Sequence, residues 1–194
     1  MEIVFYGGSF NPVHYGHIAL AQSIIQQHLG DRVLMSVTPQ NPLKPSANLI
    51  DDKERIQLLR LALNNLPNIE VTEIEQSLPK PNYTYNTLEA LKQQSPSDHI
   101  SLLIGADNAV ILNKWYRIDD ILANHRILIY PRLNIDCSAL LKHSNIKIID
   151  APKLDISSTE IRERILLGKS CEHLIPADVE QYIVQHRLFH KQSD

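Results

Sequence analysis

Two histidines, three residues apart, follow a glycine-rich turn near the start of the chain. They are His14 and His17 in the segment Gly7-Gly8-Ser9-Phe10-Asn11-Pro12-Val13-His14-Tyr15-Gly16-His17. At the start of a helix this spacing puts both imidazoles on one face, and Gly16 leaves room between them. Glycines after a strand let the backbone approach a ligand closely, and the first helical turn offers unpaired N–H groups to a phosphate. The segment therefore predicts a phosphate site that contains two imidazoles.

A zinc ion is the main alternative ligand for this pair, because two histidines on one helix face can both bind a metal. Zinc needs a third ligand, and the sequence has no cluster of Cys, His and Glu at a suitable spacing. Its two cysteines, Cys137 and Cys171, fit neither a zinc motif nor a disulfide framework. We therefore expect no protein-bound metal and interpret the pair as a phosphate site.

Two motifs resemble the signatures of the nucleotidyltransferase superfamily. His14-Tyr15-Gly16-His17 is similar to its HxGH motif, and Ile156-Ser157-Ser158-Thr159-Glu160-Ile161-Arg162 is similar to its ISSTxIR motif. The resemblance implies that the second motif closes over the phosphates of ATP, with Ser157 or Ser158 capping a helix and Arg162 reaching back from one turn inside it. The implied ATP contacts beyond the two histidines and Arg162 are Gly7, Gly8, Ser9, Phe10, Gly16, Gly105, Asp107, Ile156, Ser157 and Ser158. A class I aminoacyl-tRNA synthetase, which has a related motif, would not fit in 194 residues.

Within this superfamily the whole chain resembles the bacterial nicotinate-nucleotide adenylyltransferases. Three further segments carry the resemblance: Pro39-Gln40-Asn41-Pro42-Leu43-Lys44 for P-x-x-P-H-K, Asn82-Tyr83-Thr84-Tyr85-Asn86-Thr87-Leu88 for S-Y-T-x-D-T-L, and Gly105-Ala106-Asp107 through Trp115 for G-A-D…W. It implies that Lys44 contacts both ATP and nicotinate mononucleotide. Asn11, Thr84, Tyr85 and Trp115 are implied to bind the mononucleotide, with helix N–H groups at its carboxylate and the indole on its ring.

These internal residues also have simpler interpretations. The only Trp of a chain is often part of the core, Lys44 could be a solvated loop charge, and Asp107 could cap the next helix or orient a ribose or a metal-bound water. Three positions depart from the family pattern and remove charge, since Asn11, Leu43 and Asn86 stand where the family usually has Asp, His and Asp. These three departures leave open which residues contact the phosphates and the metal. They do not affect the predicted fold.

The implied reaction is transfer of AMP from ATP to nicotinate mononucleotide, giving deamido-NAD and pyrophosphate. Catalysis would consist of positioning and stabilisation of negative charge, without a protein nucleophile. Mg²⁺ is the implied cofactor, bound mainly through the ATP phosphates. Nicotinamide mononucleotide and pantetheine phosphate are alternative acceptors, and a non-catalytic nucleotide-binding module is the alternative from another functional class.

The elements that must hold these residues alternate between strand and helix. The run Ile3–Tyr6 is continuously apolar, as in a strand buried on both faces of a parallel sheet. We predict strands over 3–6, 33–37, 69–74, 100–104, 126–130 and 146–149, and helices over 18–29, 51–66, 88–94, 158–167 and 177–186, with Gly30 as a helix C-cap and Asp51 opening the second helix. This order predicts an α/β fold with a Rossmann-like, doubly wound parallel sheet. We expect one domain over 1–194 with a C-terminal helical segment at about 158–190.

Composition narrows the class of protein. With 43% hydrophobic and 21% charged residues the chain is globular, and a net charge of −3 lacks the basic excess of a nucleic-acid-binding protein. No apolar run approaches a membrane span, and the N-terminus lacks a signal peptide, so we expect a cytoplasmic protein that contacts neither membrane nor nucleic acid. The oligomeric state stays open, with a homo-oligomer as one option.

An acidic chain that binds two polyanions, ATP and the mononucleotide, must concentrate its cations at the site. The candidates are His14, His17, Lys44 and Arg162. The imidazoles lose charge above about pH 6.5 unless bound phosphate raises their pKa.

Overall fold

Six strands form one parallel sheet through the middle of the protein. The computed structural model describes residues 1–39, 49–132, 134–152 and 155–190. In these the strands are β1 (Glu2–Gly8), β2 (Arg32–Val37), β3 (Ile69–Val71), β4 (His99–Gly105), β5 (Arg126–Tyr130) and β6 (Ile146–Ile148). Their order is β3-β2-β1-β4-β5-β6, and each neighbouring pair is parallel. The predicted Rossmann-like, doubly wound α/β fold is confirmed.

Helices connect and cover these strands. They are α1 (Tyr15–Gln26), α2 (Asp52–Ala62), α3 (Thr84–Gln94), α4 (Ala106–Ala109), α5 (Ile118–Asn124), α6 (Ser158–Leu166) and α7 (Ala177–Gln185), with 3₁₀ turns at Ile74–Ser77, Leu112–Lys114 and Ser138–Lys142. The two short helices α4 and α5 were not predicted, because one or two turns are too few to show a helical period. The predicted strand over 69–74 is shorter, since its last residue begins a 3₁₀ turn, and α2 ends before the predicted residue 66. Across the described segments, no helix is both long enough and apolar enough to cross a bilayer.

The sheet is buried on both faces. In β1, Val4 and Tyr6 belong to a core cluster that also contains residues of α1, α2, α6 and α7. Ile3 and Phe5, which alternate with them, belong to a second cluster that includes residues of α3 and α5. Such alternation places consecutive side chains on opposite faces, so the continuous apolar run reflects two hydrophobic layers, as predicted.

Gly30 does not cap a helix, and this prediction was wrong. Helix α1 ends at Gln26 with Gln27 as its C-cap, and His28 takes the left-handed conformation with φ of 53°. A Cβ atom built on Gly30 would lie 2.6 Å from Val4 Cγ2. The glycine is therefore required by the close approach of this loop to β1, which is a tertiary contact.

The strand order reverses between β1 and β4, so the loops that follow these two strands separate and leave a crevice at their carboxyl ends. Strand β1 runs two residues beyond its predicted end at Tyr6, because Gly7 and Gly8 still pair with Ser36 and Val37 of β2. The loop that carries the first motif therefore leaves the sheet directly beside β2 and β4.

Candidate active site

The two motif histidines lie together at the start of α1. His14 is the N-cap of the helix and His17 lies in its first turn. Their rings are stacked, with centroids 3.6 Å apart and an interplanar angle of 24°, and the ring of Phe10 meets His17 edge-on at 5.0 Å. The predicted common face of the two imidazoles is therefore present, on an aromatic floor formed by Phe10.

A backbone hydrogen bond fixes which nitrogen of His17 carries the proton. The N–H of His14 donates to Nδ1 of His17 at 3.3 Å. Because Nδ1 must accept, the neutral ring carries its hydrogen on Nε2. His17 thus presents an N–H donor on the side away from its own helix turn, which is the form that a phosphate oxygen requires.

The loop of the first motif and the helix of the second motif are joined by direct contacts. Ser157 is the N-cap of α6 and accepts from the N–H of Glu160 at 3.1 Å. Ser158 Oγ donates to the carbonyl of Pro12 at 2.9 Å, and Arg162 Nη1 donates to the carbonyl of Asn11 at 2.8 Å. Residues more than 140 positions apart in sequence thereby form one site.

Gly16 lies where the first motif packs beside the second. A Cβ atom there would lie 3.0 Å from the His14 ring and 3.9 Å from Cβ of Ile156. A side chain at this position would displace the imidazole from its stacked position. We expected Gly16 to leave room between the two imidazoles. In the structure, the ring of His14 occupies this room.

Burial keeps both imidazoles neutral. It lowers the pKa of His14 to about 4, with a further contribution from the nearby charge of Arg132. Burial, and then the charges of His14 and Arg132, lower the pKa of His17 well below its usual value. In addition, Nδ1 of His14 is buried and has no hydrogen-bond partner in the described part of the chain. Among the described residues, arginine therefore supplies the fixed positive charge beside the two histidines, and both imidazoles are neutral near pH 7.

Arg132 is a site residue that the sequence interpretation missed. It follows the carboxyl end of β5, where its Nη2 donates to the Tyr130 hydroxyl at 3.2 Å and its Nε lies 3.8 Å from Oδ1 of Asp107. The signal was present, since a cation two residues after a buried parallel strand lies at the same edge as the motif loops. Asp107 does not cap the next helix, because Gly105 holds the N-cap position of α4.

The residues expected to bind the acceptor lie on α3 and in the segment before α5. Helix α3 begins at Thr84, four residues before its predicted start at residue 88, and Tyr85 is half-buried with the guanidinium of Arg117 4.2 Å from its ring centroid. Trp115 is also half-buried and packs against the second core cluster. The indole is therefore partly core and partly accessible, and its contact with a nucleotide ring stays a prediction.

Most of the other predicted residues belong to the loop of the first motif, and part of the segment 39–44 lies outside the described residues. Ser9 is exposed, Phe10 is buried with a positive φ of 42°, and Asn11 is 4% exposed with its Oδ1 accepting from the N–H of Ile50 at 3.3 Å. Gly105 ends β4. Lys44 and the departure at Leu43 lie outside the described residues.

The lowered pKa of His14 predicts an acid-sensitive fold. An unfolded imidazole titrates near pH 6.5, so protons bind the unfolded chain first, and stability falls as pH drops from about 6.5 towards 4. Between about pH 7.5 and 4.5 we expect His14 alone to account for a loss of about 2 to 3 kcal/mol in the free energy of unfolding. Urea unfolding at both pH values should show a smaller loss in His14→Gln than in the wild type. The exposed His173→Gln control should behave like the wild type, and an equal loss in all three proteins would contradict the prediction.

Comparison with known proteins identifies the family of this chain. A sequence profile of the cytidylyltransferase-like family matches residues 5–164. A protein of Flavobacterium psychrophilum named "probable nicotinate-nucleotide adenylyltransferase" is 44% identical over 98% of this chain and 100% of its own length. A protein of Bacteroides fragilis with the same name is 38% identical over 93% of this chain and 90% of its own. The Plasmodium falciparum nicotinic acid mononucleotide adenylyltransferase, solved in complex with NaAD, matches with a TM-score of 0.81 over 97% of both chains at 22% identity, which supports the fold. The chain therefore belongs to the cytidylyltransferase-like family and, within it, to the nicotinate-nucleotide adenylyltransferases.

Proposed function

We propose that the protein transfers the adenylyl group of ATP to nicotinate mononucleotide, releasing pyrophosphate and forming deamido-NAD. The observation that carries the proposal is the stacked pair of His14 and His17 at the start of α1. Arg162 of α6 is joined to the loop before this helix by its hydrogen bond to the carbonyl of Asn11. This arrangement combines neutral N–H donors, a cation and a helix N-terminus around one volume. Such a group stabilises negative charge on phosphate oxygens.

In the proposed reaction an oxygen of the mononucleotide phosphate attacks the α-phosphorus of ATP in line, and the bond from that phosphorus to the pyrophosphate breaks. The Nε2–H of His17 and the imidazole of His14 would donate to the phosphate oxygens on which charge develops. Arg162 and Arg132 would hold the β and γ groups, together with Lys44. The attacking phosphate is already anionic, so the protein's contribution is orientation and charge stabilisation.

The acceptor would bind towards α3. The free N–H groups in the first turn of α3, at Thr84 and Tyr85, suit the carboxylate of the pyridine ring. Arg117, on the ring of Tyr85, adds positive charge at the same end of the helix. The accessible part of Trp115 offers an apolar face to the ring.

Magnesium is proposed to reach the site with the phosphates of ATP. Within the described ranges, no group of three or more His, Cys, Asp and Glu side chains could hold a metal ion. The side chains of these ranges thus do not form a metal site by themselves, and phosphate and water oxygens would supply the ligands. When bound, Mg²⁺ neutralises part of the triphosphate charge.

We expect kcat/KM for nicotinate mononucleotide to exceed that for nicotinamide mononucleotide by about 10- to 100-fold, because a carboxylate gains charged hydrogen bonds from N–H groups and the amide does not. The measurement is pyrophosphate release with each mononucleotide at saturating ATP and Mg²⁺. The control is the same assay without an acceptor, which separates transfer from ATP hydrolysis. Equal values, or a preference for the amide, would overturn the assigned acceptor. ATP binding without any pyrophosphate release would instead favour a nucleotide-binding module.

A further inference from the structure

Glu75 is a buried acidic residue that the proposed reaction does not use. It lies in the 3₁₀ turn Ile74–Ser77 and is 4% exposed. Its Oε2 accepts from the Thr38 hydroxyl and its Oε1 accepts from the Thr87 hydroxyl, both at 3.0 Å. Burial raises the pKa of this carboxyl, while hydrogen bonds from the two threonines oppose the shift. No cation forms an ion pair with it in the described ranges, so its stabilisation there comes from hydroxyl groups.

One of these hydroxyl groups belongs to Thr38, at the carboxyl end of β2. Thr38 directly follows that strand, and its N–H donates to the carbonyl of Gly8 at 2.9 Å. Its carbonyl accepts from Nη1 of Arg55 at 3.1 Å, and the same nitrogen donates to the carbonyl of Ser9 at 2.7 Å. Thr38 is thus held through its N–H, its carbonyl and its hydroxyl. In sequence it stands six residues before Lys44.

The other hydroxyl group fixes the start of α3. Thr87 lies one turn into this helix, on the same segment as Thr84 and Tyr85. The backbone carbonyl of Glu75 also accepts from Nδ2 of Asn82 at 2.7 Å, just before the helix begins. The turn therefore holds the N-terminal end of α3 through both its side chain and its backbone.

We propose that Glu75 is a positioning residue for the acceptor nucleotide, because its carboxyl links the segment directly after β2, at Thr38, to the N-terminal segment of α3, at Thr87. The inference rests on the proposed function, in which the N-terminal end of α3 binds nicotinate mononucleotide. A carboxyl that accepts one hydroxyl from each segment fixes their spacing more tightly than packing alone. In the described residues, the hydrogen bonds of the Glu75 carboxyl reach neither α1 nor α6, which carry His17 and Arg162.

The test uses isosteric variants that each remove one hydrogen bond. We expect Thr38→Val and Thr87→Val each to raise KM for nicotinate mononucleotide by about three- to tenfold, with KM for ATP and kcat within about twofold of wild type. Glu75→Leu removes both bonds and should raise the same KM by more than about tenfold. Glu75→Gln should stay near wild type, since its amide can accept from one threonine and donate to the other after hydroxyl rotation. Thr72→Val is the matched control, because Thr72 precedes the same turn but does not contact the Glu75 side chain.

The outcomes separate this inference from the proposed function. Folded valine variants with an unchanged KM for the mononucleotide would overturn the positioning role, and so would parallel increases in KM for both substrates. Should Glu75→Leu fail to fold, the two valine variants decide the question alone. A wild type without adenylyl transfer would overturn the proposed function and this inference with it, whereas an active wild type with unaffected variants would overturn only the inference.

Discussion

Replacement of His17 by alanine is expected to lower kcat for adenylyl transfer by about 10²- to 10³-fold, equivalent to about 3 to 4 kcal/mol in the barrier. The reason is the tautomer imposed by the His14 N–H, which leaves a hydrogen on Nε2. A donor held in place before reaction stabilises charge that develops in the transition state more than charge in the ground state. kcat and kcat/KM should therefore fall together.

The measurement is steady-state pyrophosphate release with both substrates varied. His17→Gln should retain more activity than His17→Ala, because its side-chain amide can place an N–H close to the position of Nε2. His173→Ala, at an exposed position outside the site, should be unaffected. The alanine variant also loses the acceptor for the His14 N–H, so its free energy of unfolding should be measured alongside. A folded His17→Ala protein with kcat within about threefold of wild type would refute the assigned role.

Local sequence patterns were sufficient for the fold and for the position of the first motif. The apolar run at the start of β1 and the regular alternation of strands and helices predicted a parallel sheet, and a parallel sheet places loop residues of β1 and β4 at one edge. The motif spacing predicted that His14 and His17 share one face of the helix. These features depend on interactions between residues close in sequence or on general topology, which a single sequence displays.

Features that depend on distant residues were not predictable from the sequence. The role of Gly30 depends on its close approach to Val4 of β1. The protonation state is a further example. The sequence suggested that His14 and His17 supply positive charge, but burial lowers the pKa of both, and burial is a property of the folded protein.

The neutral histidines make Arg162 the cation on which the ATP side of the site depends most, and its loss is the second large effect that we expect. Arg162 is half-buried and tied to the carbonyl of Asn11, and burial lowers its pKa without removing its charge. A partly desolvated guanidinium interacts with phosphate more strongly than an exposed one. Arg162→Met, which keeps the aliphatic stem, should lower kcat/KM for ATP by about 10- to 100-fold.

The matched control for this prediction is Arg164→Met. Arg164 lies on the same helix but pairs with Glu160 at the surface, where an ion pair contributes little. We expect this variant to stay within about twofold of wild type. Arg162→Lys should lie between the two, because an ammonium keeps the charge but cannot contact the Asn11 carbonyl and a phosphate with the same planar geometry. If Arg162→Met and Arg164→Met reduced kcat/KM for ATP equally, the effect would belong to helix α6 as a whole. The assignment of Arg162 to the phosphates would then be wrong.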